Sequence, residues 1–331
     1  MLTRRATLVL TLATPLASPL APPLASPALA QGEWPSQPIR MVMPYAAGGP
    51  TDVIARLLAD AISPRLGQRV VVENRTGAGG NIGAAAVARA APDGHTFLFS
   101  NTGHAVNQAL YARLDYDPRN DLVPVTIVAE SPMVLLVPNT APDRSLADFV
   151  ARARARPEGL SYASSGTGGA LQLVTLLLLQ AAGIKMTEIS YRGSAPALQD
   201  LLAGRLDMLY DAGPSAFPVA QSGQARALVV SGPARSPVMP NLPTVAEAGF
   251  PAATFSVWQV VLAPARTPTP ILERMNREIA AVLGDGPLRA RLIEMGAERV
   301  VANSVPEAGR YVAEEMTRWG NVLRAAGVQQ Q

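Results

Sequence analysis

The chain has 331 residues, with 28 lysines and arginines against 25 acidic residues, two histidines and no cysteine. The lack of cysteine excludes disulfides, thiolate nucleophiles and cysteine-based metal sites, and two histidines are too few for a histidine-rich metal site. The near balance of charge, without a basic run, argues against nucleic acid as a partner. We therefore expect neither a metal nor a cofactor, and few groups suited to general-base or nucleophilic catalysis.

Residues 1–30 have the pattern of a secretory signal peptide. Arg4 and Arg5 precede an apolar Ala/Leu/Pro stretch without acidic residues, which ends at Ala28-Leu29-Ala30. Five prolines interrupt this stretch, so it does not resemble a transmembrane anchor. We expect an exported, periplasmic protein without a lipid anchor, and we favour the Sec route over the twin-arginine route.

The first predicted unit after the signal peptide is a strand at 39–43, a loop containing Gly48-Gly49, and a helix capped by Thr51 or Asp52. A glycine pair between a strand and a helix leaves backbone N–H groups accessible, and the helix dipole favours an anion there. This pattern predicts that a small anion is held by the main chain rather than by a cationic side chain.

Strands and helices alternate through the next part of the chain, which predicts parallel sheets covered by helices. The glycines from 77 to 83 do not fit the G-x-G-x-x-G dinucleotide motif, and the following strand ends at Ser100-Asn101 without an acid that could bind a ribose. NAD is therefore excluded. The strands predicted in this part are 69–73, 95–100, 123–129 and 132–138.

A second strand-and-helix series follows, and the chain then returns through a strand at 255–264 and two helices, 268–284 and 305–326. The segments 132–138 and 255–264 are predicted to cross between two lobes and to form a hinge with a cleft. We expect one lobe to comprise 31–132 and 256–331, and the other to comprise 133–255. The elements predicted in the second series are helices 145–156, 171–182 and 196–203, and strands ending at 162, 191, 210 and 231.

The second series contains a Ser/Gly loop, 164–169, which either holds an anion at a second helix N-terminus or only reverses the chain. Tyr191 either contacts a ligand's carbon chain or faces the core, and Arg192 either pairs with a distal carboxylate or is solvated. Asp211 either receives a ligand amine or caps a turn. Asp52 is expected to bind helix amides and shape its loop, because an acid repels an anion.

Several motifs resemble the substrate-binding proteins of tripartite tricarboxylate transporters, the Bug (TctC-like) family. They occur in the family's order over nearly all of residues 34–300. The most specific of these motifs are Pro44-Tyr45-x-x-Gly48-Gly49-x-x-Asp52, Val72 to Gly83, Ser164-Ser165-Gly166-x-Gly168, Tyr191 to Pro196, and Leu242 to Gly249.

The resemblance implies a type II periplasmic binding-protein fold, with two α/β lobes, a two-segment hinge and closure on a small carboxylate. The chain departs from the family's pattern at Gly169, where Ser or Thr is usual, at Gln172, where His is usual, and at Gly103, where Thr is common. The implied ligand-binding residues are Tyr45, Ala47, Gly48, Gly49, Asp52, Ser100, Asn101, Ser164, Ser165, Gly166, Thr167, Gly168, Tyr191, Arg192, Gly193, Ser194, Ala195 and Asp211.

These features lead us to expect a monomeric periplasmic receptor that presents a small carboxylate to membrane permease subunits. Di- and tricarboxylates, amino acids and aromatic acids all remain open as ligands. An alternative is a ligand-sensing subunit that docks on a histidine kinase. A secreted α/β enzyme is a third possibility, and the paucity of His, Cys and Lys argues against it.

Overall fold

The computed structural model describes residues 34–166, 168–191 and 193–330, so the predicted signal peptide lies outside the described residues. Within these ranges, β-strands and α-helices alternate as predicted. The strands are β1 (Ile39–Met43), β2 (Val70–Asn74), β3 (Thr96–Asn101), β4 (Leu122–Pro138), β5 (Ser161–Ser164), β6 (Thr187–Ser190), β7 (Leu209–Ala212), β8 (Ala225–Val230), β9 (Ser256–Pro264) and β10 (Arg299–Val300). The helices are α1 (Pro50–Leu66), α2 (Asn81–Ala88), α3 (Gly103–Leu110), α4 (Leu146–Ala155), α5 (Ala170–Ala182), α6 (Ser194–Leu202), α7 (Gly213–Gln221), α8 (Thr269–Leu283), α9 (Pro287–Glu294) and α10 (Val305–Ala325).

The first lobe is built on a mixed sheet in the order β10-β4-β9-β3-β1-β2. Strand β1 is parallel to β2 and β3, whereas β9 is antiparallel to β3 and β4. The prediction of parallel sheets is therefore wrong for this part of the sheet, because β9 returns from the other lobe in the opposite direction. Side chains alternate between the two faces of a strand, so Met41 and Met43 join one hydrophobic cluster and Val42 joins the other. The sheet is therefore covered by helices on both faces, with α1, α8 and α9 on one side and α2, α3 and α10 on the other.

Strand β4 runs from one lobe into the other. It pairs with β9 as far as Pro132, which lies opposite Ser256, and from Met133 onward it pairs with β7 and β8. The second lobe also contains the parallel pair β5 and β6, and a single bridge between Tyr162 and Met208 links that pair to the β7 segment. The architecture is thus two α/β lobes joined by neighbouring segments of β4 and β9.

The lobe boundaries at 132/133 and 255/256 stay a prediction, and the change of strand partners after Pro132 supports it. The expectation of two separate strands, 123–129 and 132–138, is wrong, because β4 is continuous. Pro132 lies where the strand changes partners, and proline is tolerated at such irregular positions.

The carboxylate of Glu298 lies beside the two crossing segments. It accepts a hydrogen bond from the Ser256 hydroxyl at the start of β9, and the Glu298 N–H donates to the Glu130 carbonyl at 2.9 Å. Burial raises the pKa of Glu298 to about 7, and the nearby Glu130 carboxylate adds to this effect, while Ser256 and Arg299 oppose it. The protonation state of Glu298 is therefore coupled to the packing of the hinge.

Several short elements differ from the sequence-based expectation. The helix α1 begins at Pro50 with Gly49 as its N-cap, so the prediction that Thr51 or Asp52 caps it is wrong. Proline is favoured at the first helical position because its missing N–H is not needed there. The sequence does not predict α3, α7, α9 or β10, since helices of eight or nine residues and a strand of two residues give little periodicity. Within the described ranges, no helix has the length and apolar character needed to cross a membrane.

Candidate functional site

The loop between β1 and α1 is shaped by Asp52, whose side chain is 3% exposed. Its carboxylate accepts hydrogen bonds from the Gly48 N–H at 2.9 Å, from Asn74 Nδ2 at 2.8 Å and from Arg56 Nε at 2.9 Å. Burial acts to raise the pKa of Asp52, but these donors outweigh it and lower the pKa. The carboxylate is satisfied from inside the protein, which agrees with a loop-shaping role, although it binds a loop amide rather than helix amides.

Asn101, at the end of β3, connects three elements around this loop. Its Oδ1 accepts from the Tyr45 hydroxyl at 2.7 Å and from the Gly103 N–H at 2.9 Å, and its Nδ2 donates to Thr51 Oγ1 at 3.2 Å. Ser100 Oγ lies 3.4 Å from the same tyrosine oxygen. Burial raises the pKa of Tyr45 to about 12, so the hydroxyl stays neutral and available for hydrogen bonding.

The second-lobe loop, between β5 and α5, is stabilised by a hydrogen bond to the side chain of Gln172 in the first turn of α5. Its Oε1 accepts from the Gly168 N–H at 2.8 Å, and its Nε2 donates to both oxygens of Glu188 at 3.0 Å. The buried Ser164 hydroxyl lies 3.2 Å from Ser190 Oγ and accepts from the Gly166 N–H at 3.3 Å. Gln172, which stands where the resemblance led us to expect histidine, therefore fixes the loop in this chain.

Two adjoining cavities lie between the loops. The first cavity, of about 310 Å³, includes five polar side chains in its lining: Tyr45, Asn101, Thr102, Asn107 and Ser165. The second cavity, of about 230 Å³, is mainly apolar and shares Asn101, Ser165, Ala170 and Val257 with the first. A larger surface groove of about 620 Å³ between α3 and α10 shares no lining residue with either cavity, so it is not part of this site.

Five helices begin at the walls of these cavities. Residues of the first turn or N-cap of α3 and α5 line the first cavity, and those of α1, α5, α6 and α7 line the second. The first N–H groups of a helix have no intrahelical acceptor, and each N-terminus carries roughly half a positive charge. The site can therefore attract an anion with main-chain groups alone.

Asp211 is the single charged side chain that lines either cavity within the described residues. It is 1% exposed, and its oxygens accept from the Ala212 N–H at 2.8 Å and from Ser215 Oγ at 2.6 Å. Burial raises the pKa of Asp211, against the opposing effect of these donors. The capping role considered for this residue is thus present, because both donors belong to the start of α7.

The structure brings part of the predicted site to the cavities. Seven predicted residues line them: Tyr45, Asn101, Ser165, Gly168, Gly193, Ser194 and Asp211. Nine others lie in or near the same loops without lining a cavity, and their ligand contacts stay predictions: Ala47, Gly48, Gly49, Asp52, Ser100, Ser164, Gly166, Tyr191 and Ala195. Thr167 and Arg192 lie outside the described residues.

Tyr191 illustrates the difference between belonging to a loop and lining a cavity. Its hydroxyl donates to Asp200 Oδ2 at 2.8 Å, and Asp200 also pairs with Arg205. Burial raises the pKa of Tyr191 to about 12. Its aromatic ring is thereby tied to α6.

Sequence reasoning missed several lining residues on other elements. They include Asn107 on α3, Val257 and Gln259 on β9, and Leu292 and Met295 near the end of α9. Gln259 had a usable signal, because it is a polar residue inside the apolar run of β9. Leu292 and Met295 had none, since they resemble ordinary core residues of an amphipathic helix.

Comparison with known proteins gives a consistent family relationship. Residues 54–328 match the family described as "Tripartite tricarboxylate transporter family receptor". Rpa4515 of R. palustris, solved with adipate, is 37% identical, with a TM-score of 0.81 over 90% of this chain and 100% of that chain. MatC of Rhodopseudomonas palustris, solved with malate, is 34% identical, with a TM-score of 0.76 over 88% of this chain and 100% of that chain.

The periplasmic binding protein BugD is also 34% identical, with a TM-score of 0.78 over 90% of this chain and 100% of that chain. These neighbours confirm the two-lobed periplasmic binding-protein fold. The family and its structural neighbours are solute-binding proteins rather than enzymes. The family match over most of the chain and these structural similarities show that this chain belongs to the tripartite tricarboxylate transporter receptor family, which includes the Bug proteins.

Proposed function

We propose that this protein is a periplasmic receptor that closes its two lobes on a small carboxylate. One observation carries the proposal: five helix N-termini meet at two adjoining cavities whose described lining contains no cationic side chain. A carboxylate near such N–H groups gains charge-assisted hydrogen bonds and a favourable dipole interaction. The adipate and malate in two structural neighbours support the same ligand class.

Closure provides the coupling between ligand and partner. The first cavity is lined by residues from both lobes, so a ligand there contacts the closed form more extensively than the open form. A ligand with such a difference in affinity shifts the population toward closure. We infer that the closed surface is what permease subunits of a tripartite transporter recognise, and that the receptor acts as a monomer exported by the segment 1–30.

The ligand class is tested by calorimetric titration of the purified protein after unfolding and refolding to remove co-purified ligand. We expect binding of one or more carboxylates from a panel of mono-, di- and tricarboxylic acids, and at least tenfold weaker binding of the matching primary amides. That ratio corresponds to about 1.4 kcal/mol. Equal affinity for an acid and its amide would contradict recognition of an anion.

Gly49→Trp provides a variant confined to the first-lobe loop. Gly49 has an extended backbone with φ of −74°, and the nearest atom to an added Cβ is the Ala46 carbonyl oxygen at 3.8 Å. The bulky side chain is therefore expected to leave the fold intact while it blocks the approach of a ligand to the start of α1.

The transport partner is tested separately, by measuring uptake of the bound carboxylate in cells that lack the receptor gene. Unchanged uptake would argue against a transport role.

A further inference from the structure

The second cavity is mainly apolar, and besides Asn101 and four hydroxyl residues its lining contains two buried side chains that accept hydrogen bonds. One is the carboxyl of Asp211, and the other is the side chain of Gln259, which is 3% exposed. Gln259 Oε1 is buried and has no hydrogen-bond donor among the residues that the structure describes. A buried acceptor without a donor costs about 1–3 kcal/mol, so this position favours a ligand or water that donates.

Asp211 also has acceptor capacity left for a ligand. A carboxylate offers about four lone-pair sites, and the donors to Asp211 are the Ala212 N–H, the Ser215 hydroxyl and the Ser194 hydroxyl, so one site remains. Of the four helices that begin at this cavity, α7 already donates hydrogen bonds from its N-cap and first turn to the Asp211 carboxylate. A second carboxylate placed here would therefore meet a desolvated like charge, and such juxtaposition is unfavourable.

The first cavity differs from the second in that it lacks a carboxylate among its described lining residues. None of its described lining residues is charged, and α3 and α5 direct their N-termini toward it. The two cavities share lining residues, which include Asn101, Ser165 and Ala170. They are therefore adjoining parts of one cleft. One end of the cleft thus suits an anion and the other suits a hydrogen-bond donor.

Building on the proposed function, we infer that the ligand is a monocarboxylate with an apolar body and a donor group, ammonium or hydroxyl, at its far end. The carboxylate binds at the start of α3 and α5. The body packs in the second cavity against Met133, Leu171, Leu292 and Met295. The far donor binds Asp211 and Gln259, which act as the specificity-determining residues of the site.

The test compares matched ligands of equal chain length by calorimetric titration of the refolded full chain. The pairs are 4-aminobutyrate with succinate, 5-aminopentanoate with glutarate, and 6-aminohexanoate with adipate. We expect the amino acid to bind at least tenfold more tightly than the dicarboxylate in the pair of best-fitting length. Equal or tighter binding of the dicarboxylate overturns the inference but leaves the receptor function intact, whereas failure of every carboxylate in the wider panel contradicts the proposed function itself.

Two variants locate the discrimination. Asp211→Asn is expected to reduce the preference for the amino acid to threefold or less, while Asp285→Asn, on an exposed turn away from both cavities, keeps the wild-type ratio. Gln259→Met removes the unpartnered acceptor with little change of shape, and it is expected to weaken the amino acid more than the unsubstituted fatty acid of the same length. If Asp211→Asn does not fold, the wild-type ratio and Gln259→Met still decide the matter. An unchanged ratio in both folded variants would overturn the assignment.

Discussion

The replacement Gly168→Ala tests how the second-lobe loop meets the first lobe. Gly168 has φ of +76°, and an added Cβ would overlap Cδ1 of Leu110, a residue of α3 that is 2% exposed. Gly166, two residues earlier, has φ of +92° and nothing within 4 Å of an added Cβ. The pair therefore separates backbone strain, which both alanines share, from the steric contact, which only one of them makes.

The expected magnitudes follow from these two contributions. A left-handed conformation costs a non-glycine residue about 1–2 kcal/mol, so Gly166→Ala should lower the free energy of unfolding by about that amount. Overpacking adds about 1–3 kcal/mol, so Gly168→Ala should be destabilised by that additional amount. Gly168→Ala is also expected to weaken carboxylate binding, because Gly168 lines the first cavity and Gly166 does not.

Urea unfolding gives the stabilities, and calorimetric titration gives the affinities. Combining Gly168→Ala with Leu110→Ala should recover at least about 1 kcal/mol relative to the sum of the single changes, since residues in contact are not additive. Equal destabilisation by the two glycine replacements, together with additivity in the double variant, would refute the contact between the loop and α3.

Three further predictions concern other parts of the site and the hinge. The pKa of Glu298 is raised to about 7, so the folded state holds this proton more tightly than the unfolded state, and the stability that the proton provides is lost as pH rises through about 7. Glu298→Gln, which keeps an acceptor for Ser256, is therefore expected to be more stable than wild type at pH 8 by at most about 3 kcal/mol and equally stable at pH 4, measured by urea unfolding. Asp52→Asn should lose the ion pair with Arg56 and so disturb the loop that Asp52 shapes. We expect a weaker carboxylate affinity by calorimetric titration and only a small change in melting temperature. Gly49→Trp should abolish carboxylate binding while the melting temperature stays within a few degrees of wild type; retained affinity would remove the first-lobe loop from the site.

The loops of the site could be predicted because their cause is local. Glycines and hydroxyl residues between a strand and a helix are visible in the sequence, and they mark both Gly48-Gly49 and the loop at 164–169. The same local reasoning gives a wrong N-cap for α1, where Pro50 takes the first helical position and Gly49 is the cap. Thr51 and Asp52 are better capping residues than glycine by type, and the preference of proline for the first helical position decides against them.

The walls of the cleft could not be predicted because they depend on tertiary placement. Leu292 and Met295 reach the second cavity only through the packing of α9 against the first-lobe sheet. Tyr191 is drawn to Asp200 because α6 brings that carboxylate within 2.8 Å of its hydroxyl, which its position in a motif does not reveal. Gln172 is an intermediate case, since a side chain four residues after Gly168 can reach back over the first turn of α5.

The most direct test of anion recognition by main-chain groups is a crystal structure of the refolded protein with a carboxylate from the panel. We expect the carboxylate oxygens within about 3 Å of backbone N–H groups at the start of α3 or α5, in the range of charge-assisted hydrogen bonds. No lysine or arginine side chain should pair with that carboxylate. A carboxylate held by a guanidinium group, or a ligand bound outside the two cavities, would contradict recognition by helix N-termini.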